Sequence, residues 1–220
     1  MEYIILIFCT CVVSVCSFLL DNVTQQQQHV VNTHCGPVRG THSTAYVFKG
    51  IPYALPPTKQ RRWKPPEPLR RNTNTCWSGT FNASMFGNTC FQFSSDNSSG
   101  LIGSEDCLFL NVWTPTLDKN ANLPVMVVIH GGSLQSSSGN WPGYSPTSKL
   151  ANTTNTVYVS MNYRLHAWRW TFYQVSLQVM CLVIMDLWIS NWHSNGYRWI
   201  SKPLEEIRIW CVIYQSFIKK

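Results

Sequence analysis

The sequence predicts an α/β fold, and three apolar runs carry that expectation. Residues 124–129 form a near-continuous β-branched stretch, with Val125, Val127, Val128 and Ile129, that stops at His130-Gly131-Gly132. Residues 156–163 form a second, with Val157, Tyr158, Val159 and Met161, and residues 107–113 a third, bounded by Glu105 and Asp106 before and by Thr114-Pro115 after. Runs this short and this continuous read as strands buried on both faces, as in a sheet covered by helices.

Each element follows in order. Gly36-Pro37-Val38-Arg39-Gly40 and residues 46–53 are short segments punctuated by Gly and Pro, which reads as strands and turns. A Pro-rich loop occupies residues 55–68, and the long strand at 107–113 follows it. Between the last two strands, Pro142, Gly143, Ser145 and Pro146 mark a loop leading into a short helix near residues 148–151.

Composition bounds the classes. With 220 residues, 45% hydrophobic and 12% charged, the chain can bury a sizeable core and is not expected to be disordered. The net charge of +7 is not concentrated: residues 1–165 carry 11 Lys+Arg against 7 Asp+Glu, and residues 166–220 carry 6 against 3. Lys59, Arg61, Arg62, Lys64, Arg70 and Arg71 form one basic run, but Pro65, Pro66 and Pro68 interrupt it. It therefore reads as a solvated loop, and no nucleic-acid partner is expected.

Residues 3–20 contain no charge and are dominated by Ile, Leu, Val, Phe and Cys, which reads as a secretory leader. Ser14 and Cys16 place cleavage before Ser17, giving a signal peptide at 1–16 and a polar linker at 17–29. The competing reading is an uncleaved signal-anchor, and only then would a membrane be a partner. Secretion implies disulfides among Cys35, Cys76, Cys90, Cys107, Cys181 and Cys211, and glycans at Asn22, Asn82, Asn97 and Asn152. No Cys or His spacing matches a zinc site, so no metal is expected.

With these segments in place, the sequence resembles the type-B carboxylesterases, the family that includes the cholinesterases and the catalytically silent neuroligin-like adhesion proteins. The resemblance rests on Gly36 to Gly40, on Phe48-Lys49-Gly50-Ile51-Pro52-Tyr53-Ala54 with Pro56-Pro57, and on Arg62-Trp63-Lys64-Pro65-Pro66-Glu67-Pro68. Its most specific part is Ser104-Glu105-Asp106-Cys107-Leu108-Phe109-Leu110-Asn111-Val112-Trp113-Thr114-Pro115, followed by His130-Gly131-Gly132 and Asn162-Tyr163-Arg164-Leu165.

The resemblance implies an incomplete α/β-hydrolase fold over residues 30–165, comprising N-terminal small strands and the first strands of the central sheet. It assigns Gly131, Gly132 and Ser133 to an oxyanion hole, with the N–H groups of Gly132 and Ser133 as donors to an ester carbonyl oxygen. Ser133 departs from the family's third Gly, and its Cβ narrows the backbone angles available. Cys90 and Cys107 match a family disulfide, whereas Cys35 and Cys76 either pair or stay free. Trp77, followed by Gly79 and Asn82, has a family counterpart and reads as core; Glu105 and Asp106 read as structural. The family implies a small-molecule ester as substrate, no cofactor and no metal.

The chemistry needs a Ser on a Gly-x-Ser-x-Gly elbow, then an acid, then a His. These 220 residues contain no such elbow. Ser133 and Ser136 to Ser138 lie in loop sequence, His166 and His193 lie in the tail, and no catalytic residue is assigned. The chain thus reads as a family member cut off before its nucleophile, a secreted product retained in the endoplasmic reticulum if it misfolds.

Residues 166–220 read as an out-of-frame or mis-spliced tail. Six of the ten Trp fall there. Permitted codons for residues 182–190, read from the last base of each codon, give Gly-Asn-Tyr-Gly-Phe-Met-Asp-Gln, the family's next landmark, and residues 203–209 give Phe-Gly-Gly-Asn-Pro-Asp in the same frame. The frame is then lost between Leu165 and Leu182. A membrane-associated C-terminus near residues 175–189 is the alternative, but Gln178 and Asp186 break its apolar run. A sheet cut this early is expected to leave an open edge and an uncovered face.

Overall fold

The computed structural model describes residues 29–69, 74–94 and 100–165, and the backbone of 209–213. The leader, Asn22, Asn97, Arg70, Arg71 and most of the tail lie outside the described residues. The chain divides into two units, Met1–Val30 and Val31–Lys220, and the elements below belong to the second except for the first residue of β1.

A three-stranded sheet of order β1-β2-β5 is built from Val30–Thr33, Gly36–Arg39 and Phe81–Asn82. The main sheet has the order β11-β9-β10-β8-β4-β3, with β3 at Thr41–His42, β4 at Tyr46–Pro52, β8 at Phe109–Thr114, β9 at Val125–Ile129, β10 at Val157–Met161 and β11 at Ile209–Ile213. A two-stranded ribbon joins β6, Gln92–Phe93, to β7, Leu101–Ile102. The three long apolar runs thus form three adjacent strands. β10 runs parallel to β9, with Val159 opposite Val127, and antiparallel to β8, with Val159 opposite Val112.

Alternation along these strands separates two cores. Val127, Ile129, Val157, Val159, Met161, Leu110 and Val112 share one buried cluster with Phe48, Ile51 and Tyr53. Trp113, Tyr158, Ala45, Val47 and Ala151 form the other, with Met126 and Val128 packed against it. The predicted helix, α1 at Ser148–Thr154, covers this second face through buried Ala151. Thr147 caps it by accepting from Leu150 N at 3.1 Å, and Asn155 ends it in the left-handed conformation with φ 48°.

Two expectations change. All five residues of β10 are buried, but on β9 only Val127 and Ile129 are; Val125, Met126 and Val128 are half-buried. Beside β9 the second face has less cover, because α1 is the only α-helix among the described residues. In the tail, where no packed element was expected, the backbone of β11 pairs in parallel with β9, Cys211 opposite Val127. Its Ile-Trp-Cys-Val-Ile composition favours a strand, and the other edge of β9 offers unpaired N–H and C=O groups for it to pair with.

Candidate functional site

The loop that leaves β9 carries Gly131, Gly132 and Ser133, and its backbone departs from ordinary geometry at once. Gly132 has φ 102°, Ser133 φ 52°, Leu134 φ 63° and Ser137 φ 84°. At Gly132 a Cβ would lie 2.1 Å from the Ser136 carbonyl oxygen, so only glycine fits. That oxygen is close because the chain turns tightly: Gln135 N and Ser136 N both donate to Gly132 O, at 2.9 and 3.1 Å. Ser133 takes up the left-handed conformation despite its Cβ, which carries strain of about 1 kcal/mol or more. No described residue accepts from the N–H of Gly131, Gly132 or Ser133.

Side chains from distant parts of the chain hold this loop. Gln92, buried in β6, accepts from Ser137 N at 2.7 Å through Oε1 and donates through Nε2 to Ser137 O at 3.0 Å, mimicking a strand partner. At the far end, Gly139 N donates to Asn162 Oδ1 at 2.8 Å, and Ser160 Oγ donates to Gly139 O at 2.6 Å. Asn111 Nδ2 donates to Ser160 Oγ at 3.1 Å, and Gly50 N to Asn111 Oδ1 at 2.8 Å. Asn162 Nδ2 reaches Asn88 O at 2.8 Å, and Tyr53 Oη donates to Asn162 O at 2.8 Å. Gly139 lies so close to β10 that a Cβ would sit 2.8 Å from Met161 O.

His130 begins the loop. Its ring stacks on Tyr163 with centroids 4.2 Å apart, and Tyr163 Oη donates to His130 O at 2.7 Å. Its Nδ1 lies 2.9 Å from Gly131 O, and a carbonyl only accepts, so Nδ1 carries the proton. Nε2 is then a buried lone pair with no partner among the described residues. Burial pushes the pKa down to about 4, against a smaller opposing contribution from the bond to Gly131, so the ring is neutral at physiological pH.

Cys90 and Cys107 are bonded, with their Cα atoms 4.9 Å apart, as the resemblance implied. Cys35 and Cys76, which the sequence left open, are bonded as well. Arg62 grips Glu105 with both ends of its guanidinium, Nη2 at 2.7 Å from Oε2 and Nε against Oε1, and this raises the Arg62 pKa. Glu105 is therefore occupied by an ion pair, and Arg61 pairs with Glu67 at 3.5 Å, so half of the four basic-run residues described here serve the fold. Burial raises the pKa of Asp106. A shallow recess lined by Arg62, Trp63, Phe91, Glu105, Arg164 and Leu165 sits beside the Cys90–Cys107 bond, and Gly131 to Ser133 are not in its wall. Trp77 packs against the core cluster and donates from Nε1 to Pro37 O at 3.2 Å. Asn82 and Asn152 are exposed.

The arrangement can present backbone donors to a negatively charged oxygen. Among the described residues no serine hydroxyl bonds a histidine, and Ser138 Oγ instead donates to Asn140 Oδ1. His34, Cys35 and Cys76 offer three metal-ligating atoms within 4.8 Å of one another, a grouping invisible in the sequence because Cys35 and Cys76 stand 41 residues apart. Bonded to each other, the two sulfurs are not thiolate ligands. No role for Gln92, Ser160 or Gly139 follows from the sequence, whereas Gly50, Tyr53, Asn111 and Asn162 fall within motif text.

Comparison with known proteins bears on the same residues. Residues 27–175 match the carboxylesterase family. The chain is 40% identical to zebrafish (Danio rerio) acetylcholinesterase over 169 residues, covering 69% of this chain and 26% of the relative. It is 38% identical to Drosophila melanogaster neurotactin over 135 residues, 60% of this chain and 15% of that one. Among solved structures, a Geobacillus stearothermophilus carboxylesterase aligns with TM-score 0.54 and 37% identity, covering 64% of this chain and 27% of that one. The chain spans about a quarter of the length of the acetylcholinesterase it matches.

Proposed function

Since the chain belongs to the carboxylesterase family, we propose that it carries the oxyanion-hole side of a secreted serine ester hydrolase and, lacking a nucleophile elbow, does not turn over esters by itself. One observation carries the reading: the loop after β9 has N–H groups without an acceptor among the described residues, and it is held by Gln92 from one side and Asn162 from the other. In the parent enzyme, donors at Gly132 and Ser133 would bind the charge that develops on a carboxylic ester's carbonyl oxygen as a serine attacks. Each such donor stabilises the transition state by roughly 3 to 4 kcal/mol. His130, neutral at physiological pH, orders the start of the loop and supplies no charge.

Secretion, with a leader at 1–16, is supported by two disulfides, which form in oxidising compartments. Exposed Asn82 and Asn152 are positions a glycan could occupy. No helix among the described residues is long and apolar enough to cross a membrane. Residues 166–220 are read as out-of-frame translation; supporting this, the family match stops at residue 175, within the interval 165–182 proposed for the loss of frame.

A catalytically silent cholinesterase-like binding or adhesion protein is the second reading, favoured by Ser133, a strained residue where the family carries Gly. Sequencing the transcript across codons 165–182 and expressing both frames separates the two. The expected result is no hydrolysis of 4-nitrophenyl acetate by the 220-residue chain and hydrolysis once the frame is restored. Hydrolysis by the 220-residue chain above a denatured control contradicts the first reading, and a frame-restored protein without activity supports the second.

A further inference from the structure

The two disulfides sit in different chemical surroundings. Cys90 and Cys107 are both buried. Cys35 is buried as well, but its partner Cys76 is half-buried. Beside Cys35 lies His34, whose Nε2 is 3.0 Å from Leu69 O and 3.5 Å from Cys35 Sγ. Since the Leu69 carbonyl can only accept, Nε2 carries a hydrogen, which is shared between that carbonyl and the more distant Cys35 Sγ, the atom that would bear charge if the bond opened.

Thiol–disulfide exchange is attack by a thiolate on the more accessible sulfur, and it is fastest when the departing thiolate is stabilised. Both conditions single out one direction here. We propose that Cys35–Cys76 is a thiol-exchange site for small thiols. A thiolate attacks Cys76 Sγ, the S–S bond breaks, and its electron pair leaves on Cys35 Sγ, where the His34 N–H donates to it in a charge-assisted hydrogen bond. Cys76 then carries the small thiol as a mixed disulfide. A second small thiol attacks the sulfur of that adduct, releasing Cys76 as a thiolate; two small thiols have been oxidised to their disulfide, and their protons end on Cys35 and Cys76.

The surrounding contacts do not depend on the bond. Thr33 Oγ1 accepts from Cys35 N at 3.1 Å and donates to Gly36 O at 2.8 Å, which fixes the turn. Trp77 donates to Pro37 O at 3.2 Å and holds the chain next to Cys76 against the same turn. The two sulfurs therefore stay within reach after opening, and the exchange is reversible.

The test uses the full chain. Thiols already free are blocked with N-ethylmaleimide, graded reduced glutathione is added, and new thiols are trapped with iodoacetamide and located by peptide mass mapping. The expected result is a glutathione adduct on Cys76 and opening of Cys35–Cys76 about tenfold faster than Cys90–Cys107. His34→Ala slows the first reaction and leaves the second unchanged, and His34→Gln, which keeps an N–H donor, restores part of the rate. If His34→Ala unfolds the chain, Cys90–Cys107 accelerates in step, and the adduct position in the unsubstituted chain then decides. An adduct on Cys35, equal rates at the two bonds, or no exchange at either overturns the proposal.

Discussion

Strand β10 and the loop after β9 lie side by side, yet they are specified in opposite ways. All five residues of β10 are buried, its neighbours on both sides are strands, and its own composition of Val, Tyr and Met suffices to make it one. The loop has four positive φ values between Gly132 and Ser137 and is fixed by side chains far off in sequence: Gln92 is 45 residues from Ser137, and Asn162 is 23 from Gly139. Hydrophobic burial makes the strand, and directed hydrogen bonds from elsewhere make the donor loop. The proposed function places this chain's chemistry in the loop, whose geometry depends on the strand and on the ribbon behind it.

The largest expected effect falls on the strand. Met161→Ala, which empties a fully buried position, should cost about 3 kcal/mol in a urea titration and weaken strand and loop together. Nearly as large is the acid response of His130. Its pKa is lowered from near 6.5 to about 4 on folding, so the unfolded chain binds the proton more readily. Stability is full above pH 6.5 and falls as pH drops toward 4, by about 3 kcal/mol at most. His130→Phe, which keeps a ring against Tyr163, should flatten that dependence; Asp106, raised by burial and of opposite sign, is common to both chains and cancels.

Smaller changes separate the loop from the strand. Gln92→Ala removes two hydrogen bonds to the half-buried Ser137 N–H and C=O and should cost about 2 kcal/mol. Hydrogen exchange should accelerate at residues 133–137 and remain slow in β10; equal acceleration in both would erase the contrast. The smallest effect is a gain: Ser133→Gly relieves the left-handed strain and should add about 1 kcal/mol, read as a raised Tm.

The same contrast explains what the sequence disclosed. Val127, Val157 and Val159 declare strands because burial leaves an apolar pattern in the strand's own residues, and the Pro142 to Pro146 loop announces α1. The loop proposed as an oxyanion hole is marked in the sequence only by family text around His130-Gly131-Gly132. The left-handed turn at Ser133 and Leu134 was not legible, because nothing local requires it; tight closure onto Ser136 does. Gln92, Ser160 and Gly139 gave no sign because their partners are fixed only by the folded chain, and the Cys35–Cys76 bond was one of two open alternatives. The half-buried face of β9 was missed because its apolar run gives no sign of how much cover the rest of the chain provides.

The central claim is that donors are in place while the attacking hydroxyl is not, and serine labelling tests it directly. Incubation of the purified 220-residue chain with a fluorophosphonate probe, followed by intact-mass measurement and peptide mapping, should give no stoichiometric adduct on any serine. One adduct per chain at a single serine, abolished by denaturation, would contradict the account.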